Sequence, residues 1–141
     1  MNFKNFLAEA AADAYYHATL TKNADQIKEK GLTKFNASNW VKAASKERYG
    51  DGAIFAFENE LDALRWAGKM DWEFNKGFGT GKVSIVKLRV SDPEAWKVDD
   101  ADPLGQAGSK GRWMKSQDAV KATDIISITP VNAADIKRAT K

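Results

Sequence analysis

The sequence predicts a single α+β domain, and three observations carry that expectation. Short apolar stretches of strand character, "AYYHATL", "AIFAF" and "VSIVKLRV", alternate with stretches of helical periodicity. The order reads helix, strand, helix, helix, strand, helix, then several strands, which fits a single α+β domain. Neither an internal repeat nor an interdomain linker divides the 141 residues, a length that buries about two-thirds of the unfolded surface in one core.

The elements follow in chain order. In "MNFKNFLAEAAADA", Phe3, Phe6, Leu7, Ala10, Ala11 and Ala14 fall at helical spacing, with Lys4, Asn5, Glu9 and Asp13 opposite. That predicts an N-terminal amphipathic helix. "AYYHATL" is short, aromatic and strand-like. Asn23 reads as the N-cap of a helix through Gln26, Ile27 and Lys30 that Gly31 terminates. "NASNWVKAASKERYGDG" suggests a further short helix running into a Gly-rich turn, and "AIFAF" a compact apolar strand. "ENELDALRWAGKMDWEF" is the plainest helix, with Leu61, Leu64 and Trp72 on its inner face. "NKGFGTGK" is a flexible turn. "VSIVKLRV" sets Val83, Ile85, Lys87 and Arg89 against Ser84, Val86, Leu88 and Val90, a strand with one apolar face. "SDPEAWKVDDADPLGQAGSKG" is a loop long enough to require a function or disorder to explain it. "RWMKSQDAV" and "DIISITPV" are the last two strands, and "NAADIKRATK" is a polar, frayed tail.

Composition narrows the chemistry. Hydrophobic residues make up 43% and aromatics 11%, with five Trp, so the chain is neither disordered nor of low complexity. No apolar run approaches the roughly 20 residues of a membrane span, so no membrane partner is expected. The absence of Cys removes disulfides and thiol nucleophiles, and one His without Cys leaves no zinc site, so no metal is expected. Net charge is +3, from 22 basic and 19 acidic residues, which favours anionic partners weakly.

Several motifs resolve into ordinary structure. "GFGTGK" departs from a phosphate-binding loop: Gly77 sits one position too close to Gly81, and Val83 follows Lys82 where a hydroxyl is needed to hold Mg²⁺. "GQAGSKGR" offers Lys110 and Arg112 to a phosphate, but its simplest reading is solvent exposure. Asp99, Asp100 and Asp102 lack the Gly turn and closing Glu of a calcium loop and read as a solvated turn.

His17, the only histidine, stands apart. Beside aromatics, a solitary His is most simply a satisfied structural residue. Its surroundings give it another meaning. "YHAT", then "IKEKGL", then "GDGAIFAFENELDALRWA" resemble in order the signatures of the ADP-ribosyltransferase-like fold: a Tyr/Leu-His-Gly-Thr strand, an Ile-x-x-x-Gly-Leu segment, and a Gly-x-Ile-Tyr-Phe strand with its Ala-rich helix. The resemblance covers about residues 15–131. It implies a split, mixed β-sheet with an NAD⁺ pocket between two half-sheets, NAD⁺ serving as substrate. His17 and Thr19 would bind the adenosine side, with Ala18 in place of the usual Gly narrowing the approach. Trp66 would stack on nicotinamide, Phe55 lie beneath the ring, and Arg65 face phosphate. Trp66 reads equally as core at its helical spacing.

The family's catalytic Glu on a late strand is missing from "RWMKSQDAVKATDIISI". Residues 120–128 resemble the family's closing pattern, so the acid belongs shortly upstream, where Gln117 and Asp118 stand nearest. Arg112 occupies the position an earlier register would give it. Three outcomes stay open: Asp118 works as the acid, an arginine-based phosphotransfer chemistry is used, or the domain binds without turnover. Arg48, Arg65, Arg89 and Arg112 would grip phosphate in the second case.

The first residues carry another resemblance. "MNFKNFLAEA" is similar to the capsid-targeting peptides of internal head proteins in T4-like phages, which are cut after hydrophobic-Ala-Glu. The match is Leu7, Ala8 and Glu9, which puts cleavage between Glu9 and Ala10. Residues 1–9 would form the targeting segment and 10–141 the transferase-like domain; an ordinary first helix is the competing reading. The two resemblances together imply a bacteriophage protein carried in the virion, inside the head, and injected into the host cytoplasm for host takeover. There it would modify a host protein or nucleic acid, after contact with DNA within the capsid. The alternative, from another class, is a non-catalytic injected protein that inhibits a host defence enzyme or binds DNA.

Overall fold

The computed structural model describes residues 14–33, 54–77, 79–98, 110–116 and 118–140. The expected N-terminal helix and its Glu9/Ala10 junction lie outside these residues, as do the helix expected in "NASNWVKAASKERYGDG", the Asp99–Asp102 turn, and Gln117 and Arg48. The described elements form one α+β domain. They are β1 (Ala14–Leu20), α1 (Ala24–Lys30), β2 (Ile54–Phe57), α2 (Glu60–Asn75), β3 (Thr80–Arg89), β4 (Trp96–Val98), β5 (Trp113–Ser116), β6 (Ile125–Asn132) and α3 (Ala133–Ala139). Among the described residues no helix is long and apolar enough to cross a membrane.

One six-stranded sheet runs in the order β4-β5-β2-β1-β3-β6. Every described strand pair is antiparallel, where a mixed sheet was expected. The reason is topological. β2 and β3 both run opposite to β1, hence parallel to each other, but β1 lies between them and no parallel ladder forms. β1 pairs with β3 along its whole length, from Ala14↔Arg89 to Leu20↔Val83. With β2 it shares only Tyr16↔Phe57. The sheet therefore parts between β1 and β2 just after Tyr16.

Alternation along β1 divides the core. Tyr15, His17 and Thr19 face one side, and Tyr16, Ala18 and Leu20 the other. On the first side Tyr15 packs with Ile54, Ala56, Val86, Leu88 and Trp96 beneath α1, which contributes Ile27. Tyr15 meets Trp96 edge to face at 5.2 Å. On the second side Ala18, Phe57, Val83 and Ile85 pack under α2 and α3. Because β3 lies between β1 and β6 with cover on both faces, Val83 through Val86 are all buried. The expectation of one apolar face therefore fails in the strand's middle.

The helices follow from local signals. Asn59 caps α2 by accepting from the Leu61 N–H at 2.8 Å. The buried side of α2 runs through Ala63, Ala67 and Met70 rather than Trp72, which is 54% exposed. Trp72 follows Ala63 by nine residues, about two and a half turns, and so lies on the opposite side. α2 ends on Lys76 in the left-handed region (φ 55°). The following turn is pinned by buried Asp71, which accepts from Asn75 Nδ2 (2.6 Å), Thr80 N–H (2.9 Å) and Thr80 Oγ1 (2.7 Å). The tail expected to fray is instead α3. Asn132 and Asp135 close a capping box, and Ile136 packs against Gly68, where a Cβ would stand 3.2 Å from its Cγ2.

Candidate functional site

His17 stands where β1 and β2 part, just after Tyr16↔Phe57. Had the single β1–β2 register continued, Ala18 would oppose Phe55 and Thr19 would oppose Ile54. Instead the His17 ring bridges the parting, its Nδ1–H donating to the Phe55 carbonyl at 2.6 Å. This bond fixes the neutral tautomer and leaves Nε2 as a lone-pair acceptor. Nε2 is buried and has no hydrogen-bond partner among the described residues. Burial, partly opposed by the Phe55 bond, holds the imidazole pKa below its ordinary value. No acidic side chain among the described residues contributes to that shift. The ring is 3% exposed, so a ligand reaches Nε2 only when whatever covers it moves.

Thr19, fully buried, follows His17 on the same face and stands in register with Ser84. Thr21 Oγ1 bonds the Ser84 hydroxyl (2.8 Å) and donates to the Gly81 carbonyl (2.8 Å). Ser116 of β5 is also buried on this face, in register with Ile54. Four polar side chains, His17, Thr19, Ser84 and Ser116, are thus buried on the α1 side of the sheet.

The remaining expected site residues are distributed otherwise. Ala18, in place of the family's Gly, turns its methyl to the α2 side, away from the imidazole. Phe55 lends His17 its carbonyl, but its ring packs on the α2 side, stacked on Trp113 at 4.9 Å. Trp66 packs against that same α2-side cluster, across the sheet from His17. Arg65 is half-buried on α2 and already engaged by a neighbour. Asp118 is exposed and lines a cavity of about 270 Å³ with Arg89, Trp96, Ser116 and Asp124, a cavity that His17 does not line. The structure therefore brings His17, Thr19 and the Phe55 backbone together, and does not bring Trp66 or Asp118 to them.

Two quoted motifs do meet. Gly31 (φ +79°) lies against the β5–β6 connection, where a Cβ would strike the Val120 carbonyl at 2.0 Å. Leu32 and Val120 then exchange backbone hydrogen bonds at 2.9 and 2.8 Å. Only glycine fits that position, which explains the Gly-Leu of "IKEKGL".

Arg112, offered to phosphate by the sequence, is held by Glu58. The carboxylate accepts from Arg112 N–H (2.7 Å), Nε (2.8 Å) and Nη2 (2.8 Å). These bonds, led by the guanidinium, keep the Glu58 carboxyl below its ordinary pKa. Sequence reading missed Asp62, fully buried in the first turn of α2, whose carboxylate accepts from Lys110 N–H (2.9 and 3.0 Å) and Gly111 N–H (2.9 Å). The one available signal was Asn59-x-x-Asp62, a capping-box spacing. Here its acid reaches across to the chain entering β5. Among the described residues no cluster of His, Asp and Glu is placed to hold a metal ion. Comparison with protein-family models and with curated proteins finds no match to this chain.

Proposed function

We propose that this chain is an NAD⁺-binding protein of the ADP-ribosyltransferase type, transferring ADP-ribose to a host protein or nucleic acid. The observation that carries the reading is the orphaned Nε2 of His17 at the parting of the sheet. A buried imidazole acceptor without a partner costs about 1–3 kcal/mol, and a ribose hydroxyl is a donor suited to it. Thr19 follows His17 on the same face of β1, as the resemblance implies, while Phe55 meets the imidazole through its carbonyl and not through the ring expected there. Gly31 and Val120 add support, because the segments that carry the resemblance come together in space.

A second reading is favoured by the position of the acid. Asp118 lines a cavity that His17 does not line, and no carboxylate among the described residues acts on the ring. On that reading the protein binds without turnover and works by inhibiting a host enzyme or coating DNA. The first nine residues support delivery from the phage head in either case, and the mature N-terminus, read by mass spectrometry of virions, is then Ala10.

Thermal unfolding with NAD⁺ tests the binding. Ligand at tenfold its Kd stabilises the fold by about 1.4 kcal/mol, and His17→Leu abolishes the increment. An NAD⁺ titration that leaves the wild-type midpoint unmoved would overturn the reading. Incubation with labelled NAD⁺ and host lysate separates the two activities: label on a target in wild type but not in His17→Leu supports transfer, and stabilisation without label supports binding alone.

A further inference from the structure

We propose that the end of α2 and the start of β3 form a docking groove for single-stranded nucleic acid, in which Phe74 stacks on a base and Lys22 and Lys82 neutralise flanking phosphates. The groove has a volume of about 490 Å³ and is lined by Leu20, Thr21, Lys22, Phe74, Gly81 and Lys82, among others, a size suited to a nucleotide. Its floor is apolar, from Leu20 and Phe74, and its rim carries two exposed ammonium groups. No carboxylate lines it among the described residues. Neither ammonium has a carboxylate partner there.

Phe74 is 40% exposed, and the same last turn of α2 presents Trp72. An exposed aromatic beside cations is the pattern that binds single strands, because every base offers a face for stacking and every linkage a phosphate. Gly81 adds an independent observation. It lies within β3 at φ +78°, and the position of its missing Cβ opens onto free space. The backbone there is bare at the groove, as strand glycines are where another molecule approaches closely. The chain's net charge of +3 points the same way.

The groove also has a suggestive place in the fold. Leu20 follows His17 by three residues of β1, about 10 Å, at the end where β1 and β2 have parted. The inference nevertheless stands apart from the dinucleotide reading, since it uses neither the imidazole nor NAD⁺.

Fluorescence anisotropy with a labelled oligothymidylate of about twelve nucleotides, in the absence of NAD⁺, tests it. Saturable binding is expected, weakened about tenfold to a hundredfold by Phe74→Ala and retained by Phe74→Tyr. The Lys22→Glu/Lys82→Glu variant is expected to bind more weakly, with the log–log salt slope reduced by about 1.4. A Lys121→Glu/Lys137→Glu variant carries the same change in net charge elsewhere and is expected to lose far less. All three positions of the groove variants are exposed, so circular dichroism should remain as in wild type. Absence of saturable binding, unchanged affinity in Phe74→Ala, or equal weakening by both lysine pairs overturns the proposal. Saturation by a glutamate-rich peptide with none by the oligonucleotide also overturns it, in favour of a protein partner. The NAD⁺-dependent melting shift of Phe74→Ala should match wild type, so the two proposals fail separately.

Discussion

The two faces of the sheet bury polar groups on different terms. Under α2 the buried charges are saturated: Asp62 accepts three backbone contacts, and Asp71 accepts from Asn75 and Thr80. Burial pushes the Asp71 carboxyl upward, but those hydrogen bonds outweigh it and hold the pKa below the ordinary carboxylate value. Under α1 the buried imidazole of His17 has one partner and one orphan. The first arrangement fixes the turn after α2 and the approach to β5. The second leaves an unsatisfied acceptor where the sheet is parted, a cost that folding alone does not explain. The difference separates buried polar groups that tie segments of the fold together from one whose second nitrogen is left without a partner among the described residues.

The largest effect should come from the α2 face. Met70 is fully buried among Leu64, Ala67 and Val83, and Met70→Ala is expected to cost about 2–5 kcal/mol in urea unfolding. A loss below about 1 kcal/mol would mean that this face does not carry the stability assigned to it. Next comes Asp62→Ala, which strips the partner from the Lys110 and Gly111 amides. It should cost about 2–4 kcal/mol, and amide exchange at those two positions should accelerate beyond the global change. Exchange that rises no more there than elsewhere would remove Asp62 from its anchoring role.

The smallest change at neutral pH should be His17→Leu, within about 1 kcal/mol, because loss of the Phe55 bond is offset by relief of the orphan. Its signature is the pH dependence. The folded pKa lies below the unfolded value of about 6.5, so the unfolded state binds the proton more readily. Wild-type stability is therefore full above pH 6.5 and falls below it, by up to about 1.4 kcal/mol per pH unit, until the folded group titrates. His17→Leu should lack that segment of slope. An unchanged slope in the variant would assign the acid sensitivity to other groups and blur the contrast between the faces.

Much of the fold was legible because its signals are local. β1 falls on "AYYHATL", residue for residue, through its aromatic and β-branched content. Gly31 ends α1 at a positive φ, and the periodicity of α2 marks its length. Trp72 was misplaced because a hydrophobic side chain was counted toward the inner face without regard to the half-turn separating it from Ala63. The polar tail was misread because Ile136 and Ala139 gain their value only from Gly68 and the rest of α2. The mixed sheet was expected from the family resemblance, but motifs along the chain do not decide which strands touch.

The candidate site divides in the same way. His17 was identifiable from the sequence as the only imidazole, set on a strand. Its partner was not, because Phe55 contributes a carbonyl, an atom that every residue carries, and only the parting after Tyr16↔Phe57 turns that atom toward the ring. Asp62 was invisible for the complementary reason: its acceptors are satisfied by amides distant in sequence. By itself the sequence determined the identities of β1, α1, β2, α2 and β3, the absence of thiol chemistry and the single histidine, since these depend on composition and on contacts within a few residues. Only the tertiary structure decided which face each side chain shares and which buried polar atoms find partners, because both depend on register and crossover between segments far apart in the chain.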